Sequence, residues 1–223
     1  MARGMMMLHQ TVGIDLIYSF VIIFASLLIY HSTKELYELS NHKGIKYFRY
    51  AFLFFSLAYA FRFITQWLFI TFRLPRTLNL HPQAIGLLAL ALFLYASTAA
   101  IFYLWASVHW KKIQKSKVAM PLLHILAVAI TLFSIIYQHL LILLVTQAII
   151  VVILAITTYK TDRKKKHSQR TYLLYILLAV FWMLNILDLI VPSALSSLQL
   201  LIYLASLSIF LAMLYKVVKK TGN

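Results

Sequence analysis

The 223-residue chain has no cysteine, only five acidic side chains, five glycines and four prolines. Each scarcity excludes something. Without thiols there is no disulfide and no thiolate chemistry. With so few Gly and Pro, the apolar segments lack the mid-membrane breaks that carriers use to build substrate sites, since Gly13, Gly86 and Pro121 all fall near helix ends. Five Asp and Glu against 21 Lys and Arg give a formal charge of +16. The cations, however, sit in short clusters at helix ends rather than on an independent folded surface, so they read as topology signals and contacts for anionic lipid headgroups, not as a nucleic-acid face.

What is abundant is apolar surface. Hydrophobic residues make up 63% of the chain and its mean hydropathy is +0.87, which leaves no length for a soluble domain and predicts a single membrane domain over 1–223. Seven apolar segments, at 11–30, 47–71, 83–108, 119–137, 140–159, 171–190 and 196–217, each come close to or exceed the roughly 20 residues that a bilayer crossing needs. The fold class they predict is all-α: a polytopic, seven-transmembrane-helix bundle. Ala119 to Tyr159 holds no Gly or Pro and would be about 60 Å long as one helix, twice the hydrocarbon core, so a tight hairpin is expected at Gln138 and His139. Ser32 to Lys46 reads as a short interfacial helix, with Leu36, Leu39 and Tyr37 interleaved with Lys34, Glu35 and Glu38.

Orientation follows from the distribution of cations. Seventeen of the 21 Lys and Arg fall in alternate connections and at the carboxyl end, whereas Arg3, Arg73 and Arg76 fall on the opposite side and Arg62 lies within a helix. The positive-inside bias then places the amino terminus outside and the carboxyl terminus in the cytoplasm of a multi-pass protein of the cell membrane. The first apolar segment has only Arg3 before it and no small-residue cleavage motif after it, so it is expected to be retained rather than removed as a signal peptide.

Charge inside hydrocarbon is expensive, which singles out Asp15, Arg62 and Asp188. Measured from the nearest cytoplasmic marker on each helix, they stand at heights of about 24, 20 and 27 Å, in the outer half of the membrane. Arg62 can pair with either carboxylate. Gln66 lies one turn from Arg62 and Asn185 one turn from Asp188, with Tyr59 and Trp182 a turn further in. Gln147, Ser97, Thr98, Gln199 and Tyr203 are also polar and fall at mid-depth or further out, so a polar cavity opening outward is expected. Its candidate ligand-binding residues are Asp15, Arg62, Gln66, Asn185 and Asp188. Interhelical glue is the competing explanation, since such groups join helices at roughly 0.5–2 kcal/mol each without binding anything.

Other chemistries lack their residues. Lys216 lies at the cytoplasmic end of the last segment, too far along for a retinal Schiff base. There is no G-x-S-x-G and no H-x-x-x-H, and the eight histidines have no i, i+4 pair, so no metal or haem cofactor is expected. Acid–base work on lipid by Asp15 and Asp188 is the remaining enzymatic alternative to a non-enzyme.

The stretch YHSTKELYELSNHKGIKYFRYAFLFFSLAYAFRF, within Asp15 to Arg73, resembles the first two helices of a loose group of prokaryotic seven-helix membrane proteins. It is similar in plan to the seven-helix input modules of membrane sensor kinases, where a basic first loop with a small polar turn leads into an aromatic-rich helix carrying an arginine. The resemblance implies a sensory role. Signalling through a separate cytoplasmic protein would then use the basic connections, with Lys111, Lys112, Lys115, Arg163, Lys164 and Lys165 as candidate docking residues. The expected function is thus a receptor-like module for a small or lipidic ligand or a partner's helix; a small transporter or channel and a ligand-free accessory subunit are the alternatives.

Overall fold

The computed structural model describes residues 2–72, 82–116, 118–137, 140–163, 169–191 and 196–221. All described secondary structure is helical: α1 (Ala2–Ser40), α2 (Lys43–Phe72), α3 (Pro82–Val108), a short α4 (Trp110–Gln114), α5 (Ala119–Tyr137), α6 (Leu140–Arg163), α7 (Gln169–Ile190) and α8 (Ser196–Thr221). Each of the seven long helices contains one of the seven expected segments, and α5 matches its segment to the residue. The turn expected at Gln138 and His139 lies outside the described residues.

The long helices contact one another in ring order, α1–α2–α3–α5–α6–α7–α8 and back to α1, with α6 also touching α3. Residue size explains the closeness at α3. Its buried face runs through Ala96, Ser97, Thr98, Ala99 and Ala100, and small side chains let three neighbouring helices approach its backbone. Opposite lies an aromatic core, in which Phe55 meets Trp182 edge to face at 4.9 Å and Phe181 meets Phe210 at 4.9 Å.

Helix α1 shows how both faces come to be apolar. Asp15, Tyr18, Ser19, Ile22, Ala25, Ser26, Ile29 and Thr33 are buried at helical spacing, while Ile14, Ile17, Phe20, Phe24 and Leu28 are exposed on the other face. The inward face is the more polar and small-residue one, and the large aliphatic and aromatic groups point out. Large exposed apolar groups continue on α5, from Leu122 to Ile136, a surface that water does not tolerate at this extent. By length and composition, four helices are able to cross a membrane among the described residues: Gly13–Ser40, Gly86–Val108, Ala119–Tyr137 and Ser197–Lys219. The described apolar stretches of α6 and α7, Val145–Thr157 and Ile176–Leu187, are shorter, and α2 carries Lys43, Lys46, Arg49 and Arg62.

The separate interfacial helix expected over Ser32 to Lys46 is not formed. Instead α1 continues to Ser40 and stops at Asn41, whose φ of 48° and N–H bond to the Tyr37 carbonyl at 2.7 Å make a left-handed helix stop that asparagine tolerates. Its neighbour His42 then opens α2, its Nδ1 accepting the Gly44 N–H at 3.1 Å and its carbonyl the Ile45 N–H at 3.0 Å. Gly44 is needed by packing: a Cβ there would stand 2.9 Å from the backbone oxygen of Ser107. The His42 ring also meets Trp110 at 4.6 Å. The α1–α2 turn and the α3–α5 connection therefore share one end of the bundle.

Candidate functional site

Towards the other end of α1, four helices, α1, α2, α7 and α8, bring polar groups together. Arg62 of α2 donates from an NH2 group to an Asp15 carboxylate oxygen of α1 at 2.6 Å, with the two side chains only 18% and 12% exposed. The amide of Gln66, one turn along α2, donates to the second Asp15 oxygen, so this carboxylate is held from both sides. Asp15 is thus a carboxylate partner of Arg62. Asp188 belongs to α7, but its side chain lies outside the described residues.

A second cluster sits directly against the first. The Asn185 carbonyl oxygen on α7 accepts from the Tyr18 hydroxyl at 3.2 Å and from the Tyr59 hydroxyl, while its amide donates to the Phe181 carbonyl at 2.8 Å. Tyr203 of α8 joins the two, accepting from Arg62 at 3.5 Å and stacking on the Tyr18 ring with centroids 4.7 Å apart. Four of the five candidate ligand-binding residues, Asp15, Arg62, Gln66 and Asn185, therefore belong to one network.

The network adjoins a cavity of about 30 Å³, room for one or two water molecules. Tyr59 and Arg62 of α2, Ser97 of α3, Gln147 of α6 and Asn185 of α7 supply its polar wall, and Phe55, Phe93 and Trp182 its apolar one. Gln147 is buried and donates at 3.4 Å to the hydroxyls of Ser97 and Thr98. Gln147 and Tyr203 belong to the polar gradient that predicts a cavity, whereas Tyr18 is a member that the sequence reading does not name. The signal for Tyr18 is its place one turn after Asp15 on the same helical face. Ser97 and Thr98 sit in the small-residue stretch of α3, where only a buried neighbour gives them meaning.

Among the described histidines, His124 and His109 have structural partners. His124 of α5 stands between the Tyr95 hydroxyl at 2.9 Å from Nδ1 and the Tyr103 hydroxyl at 3.0 Å from Nε2, both from α3. His109 stacks on Trp105 at 4.8 Å, and no three His, Asp or Glu side chains among the described residues are grouped to hold a metal ion. On the basic end, Arg49 donates to the Tyr30 carbonyl at 3.2 Å and lies over the Tyr30 and Tyr37 rings at 4.6 and 5.7 Å. Of the candidate docking residues, Lys111, Lys112 and Lys115 are exposed. The side chain of Arg163 and all of Lys164 and Lys165 lie outside the described residues.

With this geometry in view, the chain is similar to an uncharacterized protein of Archaeoglobus fulgidus, 30% identical over 215 residues that span 95% of this chain and 94% of the other. The chain belongs to that protein's family. The likeness runs across all the helices that build the network, so the fold and its polar centre lie within the shared length. No family model and no solved structure matches the chain.

Proposed function

We propose that the chain is a seven-helix, receptor-like sensory module of the cell membrane, with its amino terminus outside and its carboxyl terminus in the cytoplasm. It receives a small or lipidic ligand, or a partner's transmembrane helix, in a polar pocket of the outer half of the membrane. The observation that carries this reading is the convergence of Asp15, Arg62, Gln66 and Asn185 from three helices beside a cavity. Charge at such depth is expensive and marks function by default. Seven crossings are supported by the closed ring of seven long helices, and a common basic side by the contact of His42 with Trp110. Exposed Lys111, Lys112 and Lys115 next to that contact, with Arg163, Lys164 and Lys165 of the α6–α7 connection, provide a docking face for a separate cytoplasmic signalling protein, and face anionic headgroups.

One observation favours a second reading, that of a ligand-free accessory subunit: Asp15 and Arg62 neutralise each other at 2.6 Å, as interhelical glue would. Native mass spectrometry separates the two. The reading expects a bound molecule to leave the membrane with the parent chain and to be lost from a folded Arg62→Gln, Asp15→Asn double variant. Equal occupancy of both, or none in either, favours the subunit. Single cysteines at Thr77 and Lys165 test the orientation in intact cells, where labelling at Lys165 alone would reverse it.

A further inference from the structure

The cavity beside the ion pair constrains what the pocket can take, and the inference drawn from it rests on the reading that this cluster receives a ligand. Charge is the first constraint. Arg62 is the cation on the described wall, and it already has a carboxylate at 2.6 Å. An entering anion would have to displace Asp15, and an entering cation would face the guanidinium. Both carry a desolvation cost that this wall does not repay.

Unmet hydrogen-bonding capacity is the second. Gln147 is only 5% exposed, and the hydrogen bonds of its side chain among the described residues are the two donated at 3.4 Å to Ser97 and Thr98. Both are long for N–H···O bonds. Its amide oxygen accepts from no described group, so this residue of the cavity wall offers an open acceptor. The remaining walls, Phe55, Phe93 and Trp182, offer ring faces suited to C–H groups. Size is the third constraint, since about 30 Å³ admits a hydroxyl-sized group and excludes a sugar ring or a phosphate.

We propose that the cavity binds the neutral hydroxyl group of an uncharged polar ligand, of the kind found on a glycerol-type lipid headgroup, in the position that water fills in its absence. The hydroxyl donates to the Gln147 amide oxygen, and the carbon that bears it lies against the Phe55, Phe93 and Trp182 rings. A headgroup and a water molecule offer the same O–H chemistry, and the experiment must tell them apart.

The full chain, purified in detergent, is titrated with three amphiphiles of one acyl length: a monoacylglycerol, a lysophosphatidic acid and an alkyltrimethylammonium. Binding is read from the thermal midpoint and from tryptophan fluorescence. Saturable binding of the monoacylglycerol is expected, weakened at least about fivefold in Gln147→Leu, which removes the acceptor and fills the space. Should Gln147→Leu not fold, Ser97→Ala is expected to weaken the same binding about twofold. Tighter or equal binding of either charged amphiphile overturns the neutral class while leaving the receptor reading intact. Undiminished monoacylglycerol binding by both variants overturns the assignment to this cavity. Failure of all three to bind leaves water as the occupant and overturns the inference, while the receptor reading is decided separately by the native mass spectrometry of the parent chain and the double variant.

Discussion

Removing the carboxylate of Asp15 is the sharpest test of the polar centre, because two donors depend on it. Arg62 reaches one oxygen at 2.6 Å and Gln66 the other. Asp15→Ala takes from the guanidinium its acceptor at 2.6 Å, leaving contacts such as Tyr203 at 3.5 Å, and strands the Gln66 amide, whose carbonyl oxygen already has no hydrogen-bond partner. Breaking a buried pair from one side typically costs about 3–5 kcal/mol. The side chains here retain 12–18% exposure, and single hydrogen bonds inside membrane bundles average only about 0.6 kcal/mol. A loss of about 2–4 kcal/mol is therefore expected, at its lower end roughly 30-fold in the unfolding constant. Arg62→Ala should lose a similar amount, since it leaves the carboxylate with Gln66 alone. The exchange Asp15→Arg with Arg62→Asp should recover at least half, because the Gln66 carbonyl can accept from an arginine placed at 15. Reversible SDS titration in mixed micelles, followed by far-ultraviolet circular dichroism, measures all four corners. A single-variant loss below about 0.5 kcal/mol, or an exchange that merely sums the two single losses, would refute the pairing as a stabilising element.

Two further outcomes follow from contacts elsewhere. Gly44→Ala gains helix propensity of about 0.5–1 kcal/mol, yet its methyl would stand 2.9 Å from the Ser107 carbonyl oxygen and 2.8 Å from the His42 ring. The ring can swing away but the carbonyl at the end of α3 cannot, so a net loss of about 1–3 kcal/mol is expected in a thermal melt, and a raised midpoint would disprove the close approach. His124→Phe should cost about 1–2 kcal/mol by stranding the Tyr95 and Tyr103 hydroxyls. Adding Tyr95→Phe and Tyr103→Phe should return most of it, and a triple variant as unstable as the single would show that the histidine acts by ring packing alone.

Much of this organisation was legible in the residues. Helix positions could be read because apolar length and loop charge are local properties, and α5 runs over the expected residues, Ala119–Tyr137. The extension of α1 to Ser40 was not legible, since Lys34, Glu35 and Glu38 suggest an interfacial break, while what ends the helix is the backbone of Asn41, three residues after Glu38. Depth counting brought Asp15, Arg62 and Gln66 to one level because helical rise is fixed. It could not show that Arg62 meets Asp15, since pairing depends on how neighbouring helices are rotated. The same limit hid the pairing of Gln147 with Ser97 and Thr98, which lie 50 and 49 residues away in sequence.

The two long arginine contacts of α2 have a mechanical consequence. Arg62 grips α1 at Asp15, and Arg49 grips it again at Tyr30, about 22 Å further along the same unbroken rod. Fastened at two stations, α1 and α2 cannot slide past each other by a turn without releasing both. They must tilt as a yoked pair, so any displacement at Asp15 is felt at the Arg49 clasp beside the first basic turn, and the freedom to rearrange falls to the helices on the far side of the ring.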